Sequence, residues 1–225
     1  MPTQYILVVL MLVIAQGRPA PTLGEQQKPQ PFVSLNLSRG TRAEAIEALL
    51  TEARMPGGIV SVNSECSQNA RLDFAIPSVD LREALNRVLV RGRTGSWDSE
   101  DGTIVAILGT SRPKVLDAVV REFEFDSSLP LSLSAQRLFA SQEVREIEAK
   151  EGLEEMTTPL GFSSVPNDRE MRAMGGEQKR RVVARGKTVL QILNMMAQSE
   201  GNAVWYFEQF ACKGKTLFRV SWPVT

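Results

Sequence analysis

One pattern of apolar residues and turns occurs twice along the chain, and it limits the possible folds more than any other feature. Residues 75–108 and 183–222 each have the pattern of a short apolar strand, a small turn, an amphipathic helix, and two strands joined by a glycine-containing turn. Two copies of a strand and helix unit predict two similar α+β modules in one chain. A repeated unit of this kind favours a pair of binding modules over a catalytic site.

The first half, residues 32–110, is predicted to form the first module. Its predicted elements are a strand at 32–37, a helix from Thr41, strands at 59–62 and 71–76, a helix at 81–90, and a hairpin over 95–108. Thr41 and Glu44 have the spacing of a capping box, and Asp80 is a candidate N-cap for the next helix. The pair Asp101-Gly102 is a strong hairpin-turn signal.

The second half, residues 115–223, is predicted to be a diverged copy. Its predicted elements are a strand at 119–125, one helix over 134–150, a strand at 180–184, a helix at 188–198, and strands at 203–210 and 216–222. Residues 157–178 are predicted to form a long loop, with a candidate short strand at 161–165. Each module is therefore expected to follow the order strand, helix, strand, strand, helix, strand, strand.

The N-terminal segment has the composition of a secretory signal peptide, predicted to cover residues 1–20. Its unbroken apolar run, 5–15, is too short to span a bilayer and suits a signal-peptide h-region. Residues 21–31 are rich in proline and glutamine, which is typical of a linker. We therefore expect a periplasmic or secreted protein that has no stable membrane insertion after signal removal.

The charge balance and the lack of histidine narrow the classes of function. The chain contains 26 basic and 26 acidic residues, so no net field favours nucleic acid. It has no histidine, which removes the commonest general base and the commonest transition-metal ligand. These observations predict a protein that is not an enzyme and has no catalytic, metal or cofactor site.

The only two cysteines, Cys66 and Cys212, are candidates for a disulfide bond. An oxidising compartment would permit the bond, which would contribute about 3–5 kcal/mol by closing a large loop. Two independent thiols are the alternative, because a sequence does not supply the Cα separation that a disulfide needs.

A group of glutamates supports a rival hypothesis, a secreted hydrolase that uses two carboxylates. Glycoside hydrolysis needs such a pair across a cleft. The candidates are Glu143, Glu146, Glu148, Glu151, Glu154 and Glu155. With Arg145 and Lys150 interleaved, the simpler interpretation is a solvated helix face. A structural spacer in an envelope assembly is the third hypothesis.

Candidate partner contacts lie in the second half. Lys179, Arg180 and Arg181 form a basic cluster suited to an acidic partner. Alternation along the strand places Tyr206 on the face opposite its neighbours, so Tyr206, together with Trp222, is a candidate contact. The exposed edges of the short sheets offer backbone groups for strand addition.

The stretch 32–108 resembles the short N-terminal domain of secretins and TonB-dependent receptors. The resemblance rests on the opening strand and helix, on Leu81, Glu83, Ala84, Leu85 and Leu89 in the second helix, and on the closing strand at 103–107. A weaker second copy covers 115–223. The resemblance implies a periplasmic, non-catalytic module that binds an envelope protein near the outer membrane. The family motif marks core positions, so it implies no catalytic residues.

Overall fold

A six-stranded mixed sheet forms the centre of the fold, with helices and a two-stranded sheet packed on each face. The structure is a computed structural model that describes residues 31–63, 70–90, 94–127, 130–156 and 181–222. It confirms the predicted α+β class. The predicted signal peptide, nearly all of the linker and the predicted loop at 157–178, including its candidate strand, lie outside the described residues.

The described part of the first half contains two helices and five strands. They are β1 (Phe32–Gly40), α1 (Arg42–Glu52), β2 (Gly57–Asn63), β3 (Leu72–Asp80), α2 (Leu81–Val90), β4 (Ser96–Glu100) and β5 (Thr103–Leu108). The described part of the second half contains a 3-10 helix (Lys114–Asp117), β6 (Val119–Asp126), α3 (Leu131–Phe139), α4 (Gln142–Glu151), β7 (Leu153–Glu155), β8 (Arg181–Thr188), α5 (Val189–Ser199), β9 (Val204–Cys212) and β10 (Lys215–Ser221).

Local side-chain caps determine where the helices begin. The Thr41 hydroxyl accepts a hydrogen bond from the Glu44 amide (3.1 Å), and the Glu44 carboxylate accepts one from the Thr41 amide (2.7 Å). This arrangement confirms the predicted capping box at the start of α1. The Asp80 carboxylate accepts a hydrogen bond from the third amide of α2, as predicted for an N-cap.

The single helix predicted over 134–150 is wrong, because the structure has two helices, α3 and α4. Ser141 has an extended backbone (φ −66°, ψ 151°) and separates them. Phe139 and Val144 both pack in the same core. On one straight helix they would point about 140° apart, so the break allows both to be buried.

Strand pairing is the same in the two halves. β1 pairs with β3 and β6 pairs with β8, each as an antiparallel two-stranded sheet. β2 runs parallel to β5, as β7 does to β10. The hairpins β4–β5 and β9–β10 complete the correspondence. In the first hairpin Asp101 and Gly102 both have positive φ, which confirms the predicted turn.

The two halves share one sheet through a seam between β2 and β9, which was not predicted from the sequence. These strands are parallel and in register over seven residues, from Gly57 opposite Val204 to Asn63 opposite Phe210. The full strand order is β4-β5-β2-β9-β10-β7. β2 is therefore a central strand, and its first five residues are buried.

Each half packs its own helices on a different face of this sheet. Ile59 of β2 lies in the core formed with α1 and α2, whereas its neighbour Val60 lies in the core formed with α3, α4 and α5. β4 and β9 correspond to each other but run in opposite directions. A half-turn about an axis that lies in the sheet and perpendicular to the strands, combined with a shift of three strands along that axis, therefore superimposes the first half on the second.

Candidate interaction surface

A hydrogen bond between a helix asparagine and a strand tryptophan occurs once in each half. Trp97 Nε1 on β4 donates to Asn86 Oδ1 on α2 (2.8 Å), and Trp205 Nε1 on β9 donates to Asn194 Oδ1 on α5 (3.1 Å). The two asparagines are therefore as far apart along the sequence as the two tryptophans. An asparagine followed by a tryptophan at one fixed spacing in both halves is a signal in the sequence that the strand and helix pattern did not reveal.

The starts of α2 and α5 are separated along the sequence by the same interval as the two asparagines and the two tryptophans. Asp80 caps α2, and Thr188 caps α5 by accepting from the Gln191 amide (3.2 Å). The first amide of each helix donates to the carbonyl that precedes the first strand of its half, Leu81 to Pro31 and Val189 to Ala118. The segment from the helix cap to the tryptophan is therefore built in the same way in both halves.

The two tryptophans differ in what covers them. Trp205 is fully buried and lies across Gly58, its partner in the seam. A side-chain carbon on Gly58 would lie 2.1 Å from Cζ2 of Trp205, so the seam requires glycine there. Trp97 is only half-buried, with the Arg82 guanidinium 5.8 Å from its ring centroid. Within the described residues, no strand pairs with β4 on its outer side.

Several sheet edges are open in the part of the chain that the structure describes. β4 and β7 are the outer strands of the six-stranded sheet, and no described residue adds a further strand to either two-stranded sheet. β4 carries Asp98, which is exposed, and Glu100, which is half-buried and accepts a hydrogen bond from Gln191 of α5. The β4 edge is therefore acidic as well as open.

Tyr206 lies between the two halves and is half-buried. Its hydroxyl donates to the Glu47 carboxylate on α1. Burial, followed by the hydrogen bond to Glu47, raises the pKa of Tyr206 above its usual range. Trp222 is also half-buried and packs against the core formed with α3, α4 and α5. The alternation predicted around Tyr206 is present, but the side chain meets α1 across the seam, and its role in partner contact stays a prediction.

Of the predicted basic cluster, only Arg181 falls within the described residues; Lys179 and Arg180 lie outside them. Arg181 is exposed at the start of β8 and forms an ion pair with Glu124 on β6. On the same small sheet, Arg185 pairs with Glu122 at 3.4 Å. An acidic partner would have to compete with Glu124 for Arg181.

Cys212, the last residue of β9, is disulfide-bonded. Cys66 lies outside the described residues, so its pairing with Cys212 stays a prediction. The seam supports that pairing, because Asn63 at the end of β2 lies opposite Phe210. In the sequence, Cys66 follows Asn63 by three residues and Cys212 follows Phe210 by two.

The glutamates of the hydrolase hypothesis divide into surface ion pairs and one buried group. Glu143 pairs with Arg121 (2.9 Å), Glu151 with Lys114 (3.1 Å) and Glu154 with Lys215 (2.8 Å); Glu146 accepts a hydrogen bond from Gln142. Glu148 is only 4% exposed, and its Oε1 has no hydrogen-bond partner among the described residues. Arg145 lies 3.6 Å from Glu148 and 3.9 Å from Glu155.

Burial raises the pKa of both Glu148 and Glu155, and the charge of Arg145 opposes that shift. A carboxyl group with a raised pKa can act as a general acid if a substrate reaches it. Glu148 is closed off from solvent, so only Glu155, which is half-buried, offers any access. The described residues contain no cluster of three or more ligand-type side chains suited to a metal ion.

None of the described helices is long and apolar enough to cross a membrane. No protein family model matches the chain, and neither does any curated protein or solved structure. The resemblance of 32–108 to the short N-terminal domain of secretins and TonB-dependent receptors therefore stays a prediction.

Proposed function

We propose that this chain is a non-catalytic protein of the cell envelope, periplasmic or secreted, that binds a partner protein by adding a strand to an open sheet edge. The observation that carries the proposal is the seam. There, a sheet edge of one half accepts seven in-register residues from a strand of the other half. The same backbone chemistry is available to a partner wherever an edge remains open.

The ionic contacts support a binding role. Two carboxylates of α4 and β7 form ion pairs with residues of other elements, Glu143 with Arg121 and Glu154 with Lys215. These pairs stabilise the surface locally and leave the backbone of the edge strands available. Binding through backbone hydrogen bonds needs none of the histidine chemistry that the chain lacks.

Site-specific photo-crosslinking in producing cells tests the proposal. A photoreactive residue is placed at Ser99 on β4, at Asn36 on β1 or, as a control on an exposed helix position, at Lys150 on α4. We expect a discrete product from an edge position, absent at Lys150, and binding of the purified partner to the purified chain. Identical crosslinking patterns at all three positions, or a purified partner that does not bind, would contradict the proposal.

A carboxylate-dependent hydrolase is the second candidate function, favoured by the raised pKa values of Glu148 and Glu155 around Arg145. A panel of glycoside and ester substrates tests it. If a substrate is turned over, Glu155→Gln should abolish the activity and Glu146→Gln, on the exposed face of α4, should preserve it. An equal effect of both substitutions would remove Glu155 from the reaction.

A further inference from the structure

We infer that the outer edge of β4 is a docking site for a strand of a partner protein that runs parallel to β4 and places a glycine against Trp97. The inference rests on the proposed protein-binding function and names its site and the sequence that it recognises. The expected partner strand has the character of β2, an extended apolar segment with a glycine at the second paired position.

β4 and β9 are equivalent strands of the two halves. Trp97 and Trp205 occupy the same place in their halves, each held by an asparagine on the helix that precedes the strand. Trp205 lies across Gly58 because β2 pairs with β9 on the side away from the β9–β10 hairpin. The corresponding side of β4 has no strand among the described residues, and Trp97 is the partly exposed counterpart of a fully buried ring.

The seam also supplies the direction and register of the docked strand. Gly57, Gly58 and Ile59 lie opposite Val204, Trp205 and Tyr206. If the same register is applied to β4, with Trp97 equivalent to Trp205, a strand like β2 pairs with residues 96–100 and its second residue lies opposite Trp97. A strand in this register continues the sheet and covers the exposed part of the Trp97 ring.

Two side chains on β4 determine which strand fits. Trp97, held as Trp205 is held, leaves no room for a side chain on the residue opposite, so that residue is glycine. The next position faces Asp98, an exposed carboxylate where β9 has Tyr206. A lysine or arginine after the glycine pairs with Asp98, which distinguishes this strand from the chain's own β2.

A second copy of the chain is a poorer occupant. Its β2 lies between β5 and β9, paired on both sides. Its β7 carries Glu154 and Glu155, which would approach the acidic β4 edge. The partner is therefore a different protein with a free strand of the glycine-basic type.

The experiment titrates the isotopically labelled full chain with a peptide of residues 56–63 carrying Ile59→Lys, followed by NMR. The matched control peptide carries Gly58→Val in addition. We expect saturable shifts of the Trp97 indole N–H and of amides 96–100, and binding weakened roughly tenfold or more by Gly58→Val. The variant Asp98→Lys, changed at an exposed position, should weaken the lysine peptide several-fold and leave the unsubstituted peptide unaffected.

The inference is overturned if shifts map to β1, β3, β6 or β8, if both glycine and valine peptides bind equally, or if no shift appears at the highest soluble peptide concentration. Sedimentation of the chain alone gives a separate check, since a concentration-dependent oligomer that Asp98→Lys alters would make a second copy the occupant. The β4 site and the proposed function fail separately. Crosslinks to a partner only at β1 would refute the site and keep the function, whereas peptide binding without a cellular partner would do the reverse.

Discussion

The contact between Gly58 and Trp205 makes a sharp prediction, because a substitution that is usually mild should be severe there. In an ordinary strand interior, replacing glycine by alanine stabilises by about 0.5–1 kcal/mol. At Gly58 the new carbon would lie 2.1 Å from Cζ2 and 2.2 Å from Cε2 of Trp205, which is fully buried. The ring has to move, and overpacking of this kind costs about 1–3 kcal/mol.

Moving the Trp205 ring also breaks its hydrogen bond to Asn194, which is itself 4% exposed. A buried polar group left without its partner costs about 1–3 kcal/mol more. Gly58→Ala is therefore expected to lower the free energy of unfolding by about 2–6 kcal/mol, the sum of the two effects. Urea unfolding followed by far-UV circular dichroism and tryptophan fluorescence measures it.

A double-mutant cycle tests the proposed cause. Trp205→Phe removes the part of the ring that meets Gly58, so Gly58→Ala should cost much less in that background. The difference between the two backgrounds should be at least about 1 kcal/mol, the level at which contacting residues couple. A loss below about 0.5 kcal/mol in the original chain, or equal losses in both backgrounds, would refute the reasoning.

Three further predictions concern the asparagine pairs, the buried carboxyl and the disulfide. Asn194→Ala should lower the unfolding free energy by about 1–3 kcal/mol, because it removes the hydrogen-bond partner of the fully buried Trp205. Asn86→Ala should lower it by less than about 1 kcal/mol, because its partner Trp97 is only half-buried. Equal losses in chemical denaturation would contradict this. Burial raises the pKa of Glu148 in the folded chain, so the stability contributed by its protonated form is lost as pH rises through that pKa. The Glu148→Gln variant should therefore be more stable than the original chain at high pH and equally stable at low pH. Parallel pH profiles of the unfolding free energy would refute this. Non-reducing peptide mapping should recover residues 66 and 212 in one linked peptide, and replacing both cysteines by serine should cost about 3–5 kcal/mol; two separate thiol peptides would end the prediction.

The parts of the fold that depend on neighbouring residues were predictable from the sequence. The Thr41 and Glu44 capping box and the Asp101-Gly102 turn are decided within a few residues, and both are present as predicted. The helix over 134–150 failed for the opposite reason. Its break at Ser141 follows from where Phe139 and Val144 are buried, and that depends on residues far away in the sequence.

The seam could not be predicted from the sequence, because an apolar strand such as β2 has the same residue pattern whether it lies within one small sheet or joins two. Tyr206 illustrates the consequence. Its alternation was predicted, but its choice as a candidate partner contact assumed a sheet covered on one side, whereas this sheet has helices on both faces. The paired asparagines and tryptophans were visible as a repeat at one constant interval, but their meaning appears only once the strands are placed.

The half-turn and three-strand shift that relates the two halves is a screw operation, and a screw operation has no closing step. Geometry alone would allow a third unit on β7 and a fourth beyond it. Within the described residues, side-chain charge opposes that growth. The first four paired positions of the seam, from Gly57 opposite Val204 to Val60 opposite Phe207, carry no charged side chain, whereas the outer strands carry Asp98 and Glu100 at one end and Glu154 and Glu155 at the other. We therefore expect the like charges at both ends to oppose the stacking of copies of the chain into a fibre, so that the charge on its margins limits the growth of the sheet.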